Sequence, residues 1–127
     1  MNKLLLNGLA LAVMAIIFAS CQYKFIVEPA PIPPDPEDTV SFPLDVVPIW
    51  SDAGCTACHS TGGTAPDLTP DNAYGSITSM GLVNTETPED SKIYFYPASD
   101  GNHYKKYNAT QQLLILTWIQ QGAKDNK

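Results

Sequence analysis

Apolar and polar positions divide the chain into three stretches of different character. From Leu4 to Ala19 almost every residue is apolar, interrupted only by Asn7 and Gly8, and Lys3 gives the run a positive start. At about 16 residues it is shorter than the roughly 20 that a spanning helix needs, and it has the build of an export signal. From Glu28 to Asp38 five prolines forbid a helix or a central strand. They favour an extended polyproline-like segment, about 35 Å long at about 3.1 Å per residue. From Val40 onward the pattern is that of a small folded domain. Asp45–Trp50 predicts a short helix with Pro48 in its first turn, where proline is tolerated. Gly62, Gly63 and Pro66 mark a loop. A second short helix is expected from Asp71 to Met80, capped by Asp71 or Thr69. Gly81 to Asn102 reads as irregular, apart from the apolar patch Ile93-Tyr94-Phe95-Tyr96. The clearest element is the last: Asn108 caps it, Gln111 completes a capping-box pair, and the helix runs through Leu113, Leu114, Ile115, Leu116, Trp118 and Ile119 until Gly122 stops it. Its apolar residues are dense enough to predict burial on most sides. The expected fold class is all-α, with a few short helices.

The chain ends its apolar run in Phe18-Ala19-Ser20-Cys21, which resembles a bacterial lipobox. The resemblance implies a lipoprotein signal peptide at 1–20, a lipid on Cys21, a Pro-rich linker anchored by it at 21–39, and a domain at 40–127. A lipid anchors a protein to a membrane without spanning it. The implied location is the cell envelope, on the periplasm-facing side and at the outer membrane, because Gln22 lacks the aspartate that enteric bacteria use for inner-membrane retention. Charge excludes one partner class. With 13 Asp plus Glu against 7 Lys and no Arg, the chain has no basic patch for nucleic acid. A domain of this size buries little core and commonly needs a disulfide, metal or cofactor to hold it. Once Cys21 is assigned to lipid, only Cys55 and Cys58 remain, too close in sequence for a disulfide between them to stabilise much.

Those two cysteines open Cys55-Thr56-Ala57-Cys58-His59, the Cys-x-x-Cys-His signature of covalent haem attachment. Thiols at i and i+3 on a helical turn share a face, so both can add to the vinyl groups of one haem, while His59 offers an imidazole to the iron. A redox dithiol of the thioredoxin kind would expect a strand before it and a βαβ setting. A zinc site from Cys55, Cys58, His59 and His103 has suitable donors, but adjacent ligands at 58 and 59 make an awkward tetrahedron.

From about Ser41 to Lys124 the chain resembles a small class I cytochrome c domain of the kind found in bacterial lipoproteins. The likeness rests on Asp45-Val46-Val47-Pro48-Ile49, on the haem motif, on Ala65-Pro66-Asp67-Leu68 and on Trp118-Ile119-Gln120-Gln121-Gly122-Ala123. It implies a cytochrome c-like fold around one covalent haem c per chain, its first and last helices crossing at Trp118 and Ile119. It also implies that the Pro66 carbonyl accepts a hydrogen bond from His59, a contact that orients the ring and tunes the iron, and that Leu68 packs on the haem. The sixth iron ligand departs from the family, which supplies methionine from the loop before the last helix. Here that loop holds His103 and no methionine, and the only methionine after the signal is Met80. His103 is the expected ligand by position and Met80 the alternative, with an open iron site as a third case. Tyr94, Tyr96, Tyr104 and Tyr107 are expected to line the crevice as packing. The expected function is single-electron transfer with redox partner proteins at a membrane surface, without enzymatic activity. The alternatives are a haem-based sensor or enzyme accessory with an open iron site, and a non-haem zinc-binding module.

Overall fold

The computed structural model describes residues 38–126 together with 2, 3, 7 and 8. The expected signal peptide, Cys21 and the expected linker up to residue 37 therefore fall outside the described residues, apart from those four positions. Every element is helical, and no strand occurs among the described residues. The all-α expectation holds at that level. No helix among the described residues is long and apolar enough to cross a membrane.

The domain opens with a wide, π-type turn over Phe42–Val46 that passes directly into helix α1, Val47–Asp52. Ser41 starts it: its hydroxyl accepts from Leu44 N–H, and the Asp45 carboxylate reaches back to Ser41 N–H at 2.7 Å. Two orphan donors are satisfied reciprocally, as in a capping box. Pro43 and Pro48 sit in first turns, where no N–H is required. After α1 the chain makes a single 3₁₀ turn, Cys55–Ala57, entered through Gly54 at φ 70°.

Helix α2, Ala73–Ser79, begins later than the sequence suggested. Neither Asp71 nor Thr69 caps it with a side chain. Asn72 holds the cap position, and the Thr69 carbonyl accepts the N–H groups of Asn72 and Ala73. The stretch taken as irregular contains a 3₁₀ turn, Pro88–Asp90, and a four-residue helix α3, Lys92–Phe95. A four-residue helix is barely one turn, too short for a 3.6-residue period to show. Helix α4, Ala109–Gln120, has the expected complete capping box between Asn108 and Gln111. It ends at Gly122, φ 95°, where the Ala123 N–H returns to the Trp118 carbonyl.

The core gathers where α4 meets the opening turn. The Phe42 ring packs on Trp118 (centroids 5.0 Å apart), Tyr74 (5.2 Å) and Trp50 (5.9 Å), with Val46, Ile77, Ile115 and Ile119 fully buried around them. The two ends of the domain are tied at the same place. Gln121 accepts from Val40 N–H, and the Asn126 side chain bonds Phe42 N–H and the Val40 carbonyl. Burial on most sides of α4 does not hold. Ile115, Trp118 and Ile119 are buried, but Leu113, Leu114 and Leu116 are half-buried, because so small a domain covers the remaining sides of the helix only in part.

Candidate functional site

Adjoining the aromatic core lies an apolar cavity of about 560 Å³, within the usual range for small-molecule and cofactor sites. The segment after the 3₁₀ turn forms one wall. Cys55 N-terminal to it is buried, its carbonyl accepts both Cys58 N–H and His59 N–H, and its side chain reaches the cavity. Cys58 is exposed, and both thiols are free. Burial pushes the Cys55 thiol above its usual pKa, partly offset by the nearby Lys105 ammonium. A dithiol of the thioredoxin kind needs a pKa shifted the other way.

His59 lines the cavity with its orientation fixed from behind. Its Nδ1 lies 3.0 Å from the Thr64 carbonyl and 3.1 Å from the Pro66 carbonyl. Both partners are acceptors, so Nδ1 carries the proton and donates, which leaves Nε2 with its lone pair. Pro66 thus meets His59 through its carbonyl, and Leu68 is buried and lines the same cavity. The Leu68 N–H also bonds the His59 carbonyl at 2.9 Å, closing the loop on itself.

That loop is pinned by Asp67. Its carboxylate accepts from Thr69 Oγ1 (2.6 Å), Thr61 Oγ1 (2.8 Å), Asn72 Nδ2 (2.9 Å) and Thr69 N–H (3.0 Å). The Thr69 hydroxyl first, then the other donors, hold its pKa down at about 2. Sequence reasoning gave Asp67 no role.

The opposite wall brings both candidates for a second ligand to the cavity. The His103 ring faces the His59 ring with centroids 5.8 Å apart and planes inclined by 36°. Met80 also lines the cavity but is 48% exposed. The His103 loop turns tightly: Gly101 N–H bonds the Ala98 carbonyl and His103 N–H the Tyr96 carbonyl. A Cβ on Gly101 would fall onto the Tyr96 and Phe95 carbonyl oxygens, so this position requires glycine. His103 Nδ1 is engaged by the Lys105 backbone. Of the four tyrosines expected at the crevice, Tyr96 and Tyr107 line it, while Tyr94 and Tyr104 do not. Tyr107 is not mere packing: its buried hydroxyl accepts from Trp50 Nε1 at 2.9 Å and donates to the Ile93 carbonyl at 3.1 Å. Burial raises its pKa.

The lining is compatible with a haem. The His59 and His103 rings, 5.8 Å apart at the apolar cavity, would offer imidazoles to its iron, and Cys55 would offer a thiol beside them. A tetrahedral zinc would need Cys55, Cys58, His59 and His103 together. Among the described residues no three His, Cys, Asp or Glu side chains converge in a metal-binding group. No known protein family, curated protein or solved structure matches this chain.

Proposed function

We propose that the chain is a membrane-tethered, monohaem c-type cytochrome that transfers single electrons. Cys55 and Cys58 would hold one haem c, and His59 and His103 would ligate its iron. The observation that carries this reading is the His59–His103 pair, 5.8 Å apart across an apolar cavity that opens beside Cys55 of the haem-attachment motif. When bound, the haem would supply a reversible one-electron couple whose potential follows from its ligands and their hydrogen bonds. The chain's own residues supply the rest. The Thr64 and Pro66 carbonyls hold His59 in one tautomer, Leu68 and Ile93 keep the cavity apolar, and the Lys105 backbone engages His103. A lipid on Cys21 and the Pro-rich linker would hold the domain about 35 Å from the periplasm-facing side of a membrane, at the outer membrane, within reach of redox partner proteins.

An optical spectrum after expression with a cytochrome c maturation system tests the proposal. A covalent, low-spin haem that ignores carbon monoxide is expected. His103→Ala should convert it to a form that binds carbon monoxide, and Met80→Ala should leave it unchanged. A high-spin spectrum that responds to carbon monoxide in the unmodified protein would favour a ligand sensor instead. Failure to attach haem would leave the function unassigned.

A further inference from the structure

Tyr107 stands where three parts of the domain meet. Its hydroxyl bonds Trp50 on α1, the helix that leads into the haem motif, and Ile93 on α3. Its own N–H donates to the Pro97 carbonyl at 2.8 Å, closing the loop that carries His103. Between residues 99 and 107 only Tyr107 is buried; Tyr104, Lys105 and Lys106 are exposed and His103 is half-buried. The other bonds of this loop, Gly101 to Ala98 and His103 to Tyr96, stay within the loop and its approach. The Tyr107 side chain is thus the loop's buried attachment to the helix ahead of the motif.

We infer that Tyr107 is a positioning residue: through Trp50 it latches the His103 loop to the motif helix and sets how firmly His103 faces His59. The inference deepens the cytochrome reading and rests on it for the consequence at iron, but the latch itself is a property of the polypeptide. Trp50 is fully buried, so without the phenol its Nε1–H loses the hydrogen bond it makes to Tyr107. The wall carrying Cys55 and His59 and the wall carrying His103 then lose a direct connection.

The test compares Tyr107→Phe, which keeps the ring and removes the hydroxyl, with Val46→Ala, a truncation of the buried core outside the loop. Hydrogen exchange at residues 98–106 and the fraction of reduced holoprotein that binds carbon monoxide are measured for both. Tyr107→Phe is expected to speed exchange in that segment about tenfold, the equivalent of one lost hydrogen bond, and to let a fraction of the holoprotein bind the carbon monoxide that the unmodified protein ignores. Trp50→Phe, which keeps the phenol's bond to Ile93, should give a smaller shift in the same direction. Val46→Ala should lower the melting temperature and leave both readouts near those of the unmodified protein. Unchanged exchange in Tyr107→Phe, or an equal change in Val46→Ala, overturns the latch. If no covalent haem is attached, the consequence at iron falls, and the exchange measurement separately decides the latch.

Discussion

The two sides of this domain hold their shape by different means. On the aromatic side, one ring, Phe42, touches Trp50, Tyr74 and Trp118, and the surrounding aliphatic residues are sealed from solvent. Volume fixes geometry there. On the cavity side the walls are loops, and polar pegs fix them: Asp67 under the His59 loop, Tyr107 and the Tyr96 carbonyl under the His103 loop. Met80, Phe95 and Tyr96 line the cavity with much of their surface exposed. The difference separates two quantities that are often confounded. Truncating the aromatic side should cost stability, whereas removing a peg should change how the two histidines are presented at a smaller cost in stability.

The sharpest test of the contrast is Trp118→Ala. Trp118 is 1% exposed, packs on Phe42 and donates from Nε1 to the Lys124 carbonyl. The expected loss is about 3–5 kcal/mol, a large part of the roughly 5–15 kcal/mol that holds a domain of any size. Urea denaturation followed by circular dichroism measures it, and a loss under about 1 kcal/mol would show that the aromatic side is not where stability resides. Gly101→Ala comes next. Its new Cβ would meet the Tyr96 and Phe95 carbonyls, and overpacking of this kind costs about 1–3 kcal/mol. Unlike Trp118→Ala it should also loosen residues 98–106 in hydrogen exchange. Asn108→Ala removes half of the α4 capping box and should cost about 1 kcal/mol in the same denaturation experiment, without altering the cavity.

What the sequence disclosed divides along the same line. The capping box of α4 was legible because Asn108 and Gln111 interact across three residues, and Cys-x-x-Cys-His stood out by its fixed spacing. The proline turns and the Gly122 stop were likewise local. The aromatic core was not legible as a cluster: Phe42 and Trp118 lie far apart in sequence and no period relates them. Nor was the Tyr107–Trp50 bond, which spans 57 positions. The resemblance to cytochromes pointed to Pro66, but the peg beneath it was hidden. Thr61, Asp67, Thr69 and Asn72 are ordinary turn residues, and nothing in their order announces that four donor groups converge on one carboxylate.

The Asp67 peg gives the mildest perturbation and the one most specific to the cavity side. Its carboxyl sits at about 2 in the folded chain, lowered from 3.8 chiefly by the Thr69 hydroxyl. A depressed pKa means that the unfolded or loosened state binds the proton more readily. The contribution of Asp67 is therefore fully present above about pH 4 and is lost as pH falls toward about 2. Because the carboxylate is at most partly buried, water and salt screen it and the effect on global stability should be small. Its effect on the loop should not be. The Thr69 N–H bonds the carboxylate, and the Asp67 N–H bonds Ser76 Oγ on α2, so protonation loosens the segment that presents the Pro66 carbonyl to His59. The Thr69 amide chemical shift should stay constant from pH 7 to about 4 and move as pH falls through about 2. Asp67→Asn should abolish that step, and its persistence would show that Asp67 is not its source. Phe42, Trp50 and Trp118 have nothing to titrate in this range, so resonances of the aromatic core should hold still through the same interval. A core that moved in step with Thr69 would mean the two sides are one cooperative unit after all.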